Sequence, residues 1–316
     1  MKNINTTYII GVDSGFGNMK TANTIFRTGF TPIDDEPLFG GDVLEYEGRR
    51  YLIGFEHKAM IDDKIADDDY YLLTLVSIAK ELNLQHITTA QVHIATGLPL
   101  TWVSRQKESY RAYMLRNKHV DFKLNHADFH IDIVGCSVFP QGYAAIAPLL
   151  SRSETSVCFT GQTYLADIGN GTMNIMLLNN GQANSLLCWT EKLGVNQCVL
   201  DVKKHMSDHH GIDLRDETIE QIIRTGSANI GKKYLDYILD IIRAYVKRLF
   251  DSLRSHGYNP RMNHLYVVGG GGCLIQHFDH YDENMVTINT DLMATAKGYE
   301  YLAYGLLMGW RKGLAE

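Results

Sequence analysis

Hydrophobic and polar positions alternate along this chain in blocks that read as strands and helices in turn. Residues 8–12 form a short apolar run that stops at Asp13, and polar alternation resumes after Gly15 and Gly17, the pattern of a β-hairpin with a tight loop. Residues 163–167 followed by 173–178 repeat that pattern. Residues 91–97 read as a buried strand ending at Leu98-Pro99, and 129–139 as a strand leading into a helix over 141–150. The spacing over 71–82 and 103–115 predicts two helices covering a sheet. The second half predicts helices over 194–209, 216–224 and 231–255. In the last of these, Tyr234, Ile238, Ile241, Ile242, Tyr245, Leu249 and Leu253 recur at three-to-four spacing and form a core stripe. A buried strand over 264–268 is broken by Gly269, Gly270, Gly271 and Gly272, with a helix after it. Residues 291–308 predict a final helix, long enough to cross back onto the first half. Residues 24–50, rich in Gly, Asp, Glu and Pro, show no helical period and read as strands and turns at an edge. Strand and helix alternate, which favours an α/β class.

One short word occurs twice in this pattern. Asp13-Ser14-Gly15-Phe16-Gly17-Asn18-Met19-Lys20 near the start matches Asp167-Ile168-Gly169-Asn170-Gly171-Thr172-Met173-Asn174 halfway along, with aspartate, two glycines, methionine and a polar residue in one register. Two related half-domains would each supply such a turn. A chain of 316 residues exceeds the length at which a single core stops growing, so two lobes are expected. We place an N-terminal lobe at 1–145, with 292–316 packing back on it, and a C-terminal lobe at 146–291.

A phosphate chain is held best by backbone N–H groups in a turn without obstructing side chains. Gly15, Gly17, Gly169 and Gly171 meet that need, with Ser14, Phe16, Asn18, Asn170, Thr172 and Asn174 completing the two turns. Asp13 and Asp167 each end a buried strand, where carboxylates hold the hydration shell of a Mg²⁺ ion bridging phosphates. Lys20 adds a cation for the β- or γ-phosphate. Either word alone is an ordinary aspartate-initiated glycine turn. Their joint occurrence, with a four-glycine break after a third strand, argues for a nucleotide cleft. No Gly-x-x-x-x-Gly-Lys-Ser/Thr P-loop occurs, and Gly269 to Gly272 lies in the wrong place for a dinucleotide fingerprint.

Composition narrows the partners. Forty-five per cent apolar and 21% charged residues with only six prolines describe an ordinary globular chain without long linkers. A formal charge of −6 removes the attraction that direct DNA binders use, so any DNA partner is reached through another protein. Cys136, Cys158, Cys188, Cys198 and Cys273 are odd in number, scattered and without Cys-x-x-Cys spacing, which fits reduced cytosol. Residues 1–7 are polar, and no apolar run approaches the ~20 residues of a membrane span, so a soluble, cytoplasmic protein is expected. Asp62, Asp63, Asp67, Asp68 and Asp69 lack the ligand spacing of a cation loop and read as a solvated segment. His205 and His209, four apart with Asp208 and His210 beside them, have the spacing of a metal pair but no evident third and fourth ligands, and read as a polar helix end. His277 and His280 with Asp279 and Asp282 read the same way.

The motifs resemble those of the actin, sugar-kinase and heat-shock ATPase superfamily, and most closely the ParM/StbA group of bacterial actin-like proteins. Residues 10–20 resemble the first phosphate motif of that superfamily and 166–174 the second. Residues 267–272 are similar to its adenosine motif, and Ala95-Thr96-Gly97-Leu98-Pro99 to a segment common in the group. The resemblance implies an actin-like fold of two ribonuclease-H-like lobes around a nucleotide cleft. It places Gln141, in Phe139-Pro140-Gln141-Gly142, where a Gln or Glu orients the hydrolytic water; a neutral amide positions that water more than it deprotonates it. The alternative for Gln141 is an amide satisfying backbone donors at a helix start. Gly194, before Val195, resembles a position near the ribose. Lys232 either borders the base or is a plain solvent-facing lysine, the reading we favour.

The resemblance further implies a polymerising ATPase that binds and hydrolyses Mg-ATP or GTP. Its catalytic residues would be Gln141, Asp167 and Asp13, and its filaments would separate plasmid or other extrachromosomal DNA through a ParR-like DNA-binding adaptor. Head-to-tail packing of protomers does not close and so gives a filament. The alternatives are a small-molecule kinase, for which no Asp or Glu base stands where Gln141 falls, and a non-polymerising nucleotide-regulated binding protein. An interfacial membrane anchor is disfavoured, because 305–316 is short and interrupted by Gly309 and Gly313.

Overall fold

The computed structural model describes residues 1–37, 40–55, 64–66, 68–151 and 159–309. Its contacts divide the chain into two compact units, Met1–Ser151 with Met293–Glu316, and Arg152–Leu292. Unit 1 begins with β1 (Lys2–Ile4), β2 (Thr7–Ser14), β3 (Asn18–Lys20), β4 (Ile25–Arg27), β5 (Phe30–Ile33), β6 (Asp42–Tyr46) and β7 (Arg49–Ile53). It continues through α1 (Asp69–Asn83), β8 (Thr89–Leu98), α2 (Leu100–Met114), β9 (His119–Leu124), β10 (Ala127–Pro140) and α3 (Tyr143–Leu150). Unit 2 holds β11 (Gln162–Ile168), β12 (Met173–Asn179), β13 (Gln182–Glu191), α4 (Val195–His210), α5 (Asp216–Thr225), α6 (Lys232–Ser255), β14 (His264–Val268), α7 (Gly272–Phe278) and β15 (Val286–Ile288). The chain then returns to unit 1 as α8 (Ala294–Leu307).

The strands of unit 1 follow the order β4-β3-β2-β8-β10-β9-β6-β7-β5, and those of unit 2 the order β13-β12-β11-β14-β15. β2, β8 and β10 run parallel, as do β11, β14 and β15. β2–β3 and β3–β4 are antiparallel, as are β11–β12 and β12–β13. The run β4-β3-β2-β8-β10 therefore recurs, strand for strand and direction for direction, as β13-β12-β11-β14-β15. The repeated word of the sequence sits at the same point in each run, at the first hairpin.

Each unit has its own core. In unit 1, Tyr70, Tyr71, Leu75 and Ile78 of α1 pack with Ile10 and Val12 of β2 and Ile94 of β8. In unit 2, the α6 stripe packs as the spacing predicts: Ile238, Ile242, Tyr245, Leu249 and Leu253 are buried beside Ile175 and Val267, with Tyr234 and Ile241 packed at its margin. The long parallel strands are apolar over most of their length because both faces are covered.

Boundaries shift where local chemistry outweighs periodicity. α2 starts at Leu100 instead of 103, because Pro99 at φ −48° and ψ 138° leads straight into the helix, with Trp102 and Val103 of its first turn already packed against the core. α8 starts at Ala294 instead of 291, since Asp291 N–H bonds to Asn289 Oδ1 in a turn. β9, β13 and β15 lie outside the elements read from the sequence. The β9–β10 hairpin turns at Asn125 and His126, both with positive φ (50° and 68°), as a two-residue primed turn requires.

The return of α8 depends on close backbone approach. A Cβ on Gly11 would lie 2.0 Å from the Ala296 carbonyl oxygen, and one on Gly298 would lie 1.8 Å from that of Ala144. The Gly11 N–H donates to Glu300 Oε1 at 3.2 Å. Burial raises the Glu300 carboxyl above its usual range. Gly298 lies inside a helix, where alanine gains about 1 kcal/mol from propensity. A clash with a backbone carbonyl costs about 3 kcal/mol, so Gly298→Ala is expected to lower the urea midpoint. Gly40→Ala, with nothing within 4 Å of the new Cβ, should leave it unchanged.

Candidate phosphate-binding turns

The two words form two turns of one design. In unit 1, Asp13 pairs with Lys20 and Ser14 with Met19 across β2–β3; in unit 2, Asp167 pairs with Asn174 and Ile168 with Met173 across β11–β12. The Gly15 N–H donates to the Asn18 carbonyl at 3.2 Å, and the Gly169 N–H to the Thr172 carbonyl at 2.9 Å. Met19 and Met173 are wholly buried, which explains why an apolar residue recurs at that place in an otherwise polar word.

In unit 1, Asp13 is nearly buried and stands between two partners. Lys20 Nζ lies 3.2 Å from its Oδ2, and the Gln141 side-chain amide makes a long 3.4 Å contact with its Oδ1. Gln141 is placed by its backbone N–H, which bonds the Leu98 carbonyl at 2.8 Å at the end of β8. Gly142, at φ 74°, precedes α3, whose N-terminus takes no side-chain cap. The Gln141 amide is thus turned to Asp13 and does not cap the helix. The Ser14 side chain is fully buried, with its hydroxyl 3.0 Å from the Tyr110 hydroxyl, and Phe16 is also buried. Thr28 secures the far side of the turn, donating to the Phe16 carbonyl through its hydroxyl at 2.7 Å and to the Gly17 carbonyl through its N–H at 3.1 Å.

In unit 2, three segments converge on the turn. The first amides of α4 grip its carbonyls, Val195 N–H on Gly169 at 3.0 Å and Asn196 N–H on Asn170 at 2.9 Å. Gly194 must be glycine, because a Cβ there would lie 2.2 Å from the Asn170 oxygen; the Tyr245 hydroxyl holds its carbonyl at 2.7 Å. The glycine loop after β14 closes over the same strand end. Gly269, at φ +87°, could carry a Cβ only 2.8 Å from Asp167 Oδ1, and Gly271 N–H donates to the Ile168 carbonyl at 2.9 Å. Asn174 accepts from the Thr190 hydroxyl at 2.9 Å. Asp167, Gly169, Asn170, Gly171, Thr172, Gly194, Gly269 and Gly271 thus form one cluster, and Asp13, Lys20 and Gln141 another.

Sequence reasoning missed Lys64 and Tyr110. The Lys64 ammonium, 1% exposed, donates to the Ser14 carbonyl and hydroxyl. Burial pushes it down to about 8, against the opposing pull of Asp13. Burial also pushes Tyr110 up to about 12. Lys64 carries no periodic signal, since it lies in the polar stretch that reads as a solvated segment. Of that stretch, Asp62, Asp63 and Asp67 lie outside the described residues, and Asp68 forms an ion pair with Arg116.

The other candidates fall elsewhere. Lys232 faces solvent and pairs with Asp236 at 2.6 Å, the plain reading given above. The His205 and His209 rings stack 5.7 Å apart. Among the described residues, no group of three or more His, Cys, Asp or Glu side chains could hold a metal, and no helix is long and apolar enough to cross a membrane. Cys136, Cys188, Cys198 and Cys273 are free thiols, and Cys158 lies outside the described residues.

This duplicated α/β run, with a glycine turn at the first hairpin of each copy, defines an actin-like fold. Residues 11–143 match the family described as actin like proteins N terminal domain, and 165–280 match archaeal actin homologue MreB-like, C-terminal. The chain belongs to the actin-like proteins. It is similar to an archaeal actin homolog, Ta0583, in complex with ADP (18% identity, TM-score 0.74, covering 94% of this chain and 99% of that one). It also resembles the apo psk41 ParM protein (17%, TM-score 0.71, 96% and 98%) and the protomer of the Alp12 filament (16%, TM-score 0.67, 96% and 99%). No curated protein sequence matches the chain.

The bond from Tyr245 to Gly194 ties the core stripe of α6 to the turn. Tyr245→Phe should destabilise unit 2 by about 1 kcal/mol, because it removes the shorter of two hydrogen bonds to the buried Gly194 carbonyl and leaves only the Gln197 N–H at 3.1 Å, read as a lowered midpoint in chemical denaturation.

Proposed function

We propose that this chain is a nucleotide-dependent, polymerising ATPase of the ParM type. The observation that carries the proposal is the pair of turns in identical strand register, each headed by an aspartate, on two copies of one five-strand run. Each turn offers backbone N–H groups to the phosphates of a nucleotide. Asp13 and Asp167 supply the hard oxygen donors that suit Mg²⁺, and the absence of a Cβ at Gly269 leaves the space beside Asp167 Oδ1 open. When bound, that ion neutralises charge on the phosphates. Lys20 adds a second positive charge, and Gln141, held by the Leu98 carbonyl, orients the attacking water. The Gly269 to Gly272 loop and Gly194 offer bare backbone to the nucleoside.

Relatives of the same fold support the reading. One is solved with ADP, and another is solved as a filament. Loss of the terminal phosphate removes contacts made by these groups, so nucleotide state sets whether protomers stay assembled. We place such filaments in the segregation of extrachromosomal DNA, joined to it by a DNA-binding adaptor. The formal charge of −6 argues against direct contact with DNA.

Right-angle scattering and pelleting should rise with protein concentration once Mg-ATP is added; a flat response well above micromolar concentration would remove the filament claim. Asp167→Ala should abolish phosphate release. Gln141→Ala should slow it about 100-fold while nucleotide affinity is kept. Normal hydrolysis in both variants would overturn the site assignment.

A further inference from the structure

The two turns share one peptide geometry but fix it by different means. In each, the N–H of the first glycine donates to the carbonyl three residues on, Gly15 to Asn18 and Gly169 to Thr172. The peptide is planar and trans, so its carbonyl points the opposite way, and holding both ends sets the plane from which the turn departs. In unit 2 the carbonyl end, Ile168, is held by the neutral Gly271 N–H at 2.9 Å. In unit 1 the matching carbonyl, Ser14, is held by the Lys64 ammonium, which also reaches the Ser14 hydroxyl at 3.2 Å. A full positive charge therefore stands where the second turn has an amide dipole.

That charge is costly where it lies. Lys64 is 1% exposed, with its ammonium 5.7 Å from the Phe16 ring centroid and 5.6 Å from that of Tyr70. Among the described residues it makes no ion pair. A neutral donor would hold the Ser14 carbonyl equally well, as Gly271 does for Ile168. The ring faces of Phe16 and Tyr70 and the field of Asp13 offset part of that cost, and an anion brought to the turn from outside offsets the rest.

We propose that Lys64 is a positioning residue for the first turn and the fixed cation that makes this turn prefer a nucleoside triphosphate to a diphosphate. The proposal rests on the nucleotide reading above. Lys64 acts through the Ser14–Gly15 peptide and through its field, so it differs from Lys20, whose side chain lies on Asp13.

The test compares ATP, ADP and adenosine affinities in the wild type, Lys64→Met and Lys64→Gln, with folding checked by circular dichroism. Lys64→Gln removes the charge while retaining an N–H donor one bond closer to the backbone. The preference for ATP over ADP should fall about tenfold in both variants, with adenosine affinity kept. A folded variant with an unchanged ATP-to-ADP ratio would overturn the proposal. Should neither variant fold, acetylation of lysines in the wild type, followed by mass spectrometry, decides: modification of Lys64 should slow more with ATP than with ADP, and equal slowing would overturn it. A wild type that binds none of the three ligands removes the nucleotide reading, and this inference with it.

Discussion

Everything in this structure depends on how closely one backbone can approach another at the end of a buried strand. β2 and β11 each run apolar to an aspartate and then reverse within four residues, closing the reversal with a single N–H to carbonyl bond. Such a turn, held by one bond, must be supported from behind. In unit 2 the support is backbone: the first amides of α4 and the glycine loop after β14 press on the turn at distances a Cβ would forbid. In unit 1 it is side chain, from Thr28, Lys64 and the hydroxyls of Ser14 and Tyr110. One strand order has reached the same turn by two chemistries.

Much of this was legible in the sequence, and the reasons are particular. Met19 and Met173 fell in register because each is the buried residue opposite the last residue of the preceding strand, Ser14 and Ile168. The α6 stripe was legible because a long helix with one buried face leaves a clear period. Gly194 and Gly269 to Gly272 were legible because glycine at a strand or helix end signals close approach. Gln141 was placed by family resemblance, and the long contact with Asp13 is visible only in three dimensions.

What escaped did so for equally particular reasons. Lys64 is a buried lysine in an acidic stretch, where composition argues for solvent. Glu300 looks like any polar residue of a helix, yet its carboxylate accepts the Gly11 N–H of β2. β9 is a clean alternation of six residues, and the stretch of β10 that pairs with it alternates as well, so the signal was present but short. For Lys64 and Glu300 the deciding partner is distant in sequence, by 50 residues for Lys64 and Ser14 and 289 for Glu300 and Gly11.

The route of the chain has a consequence for its synthesis. Unit 2 is an insertion: the polypeptide leaves unit 1 after α3 and comes back only with α8. As the ribosome delivers the chain, all of unit 2 emerges before the helix that covers Gly11, Ala95 and Ala144 exists. The later half can therefore mature first, while the nascent earlier half waits with an open seam. A chaperone that recognises small apolar surface would find its target there, and translation speed over the last helix would govern how long that target persists.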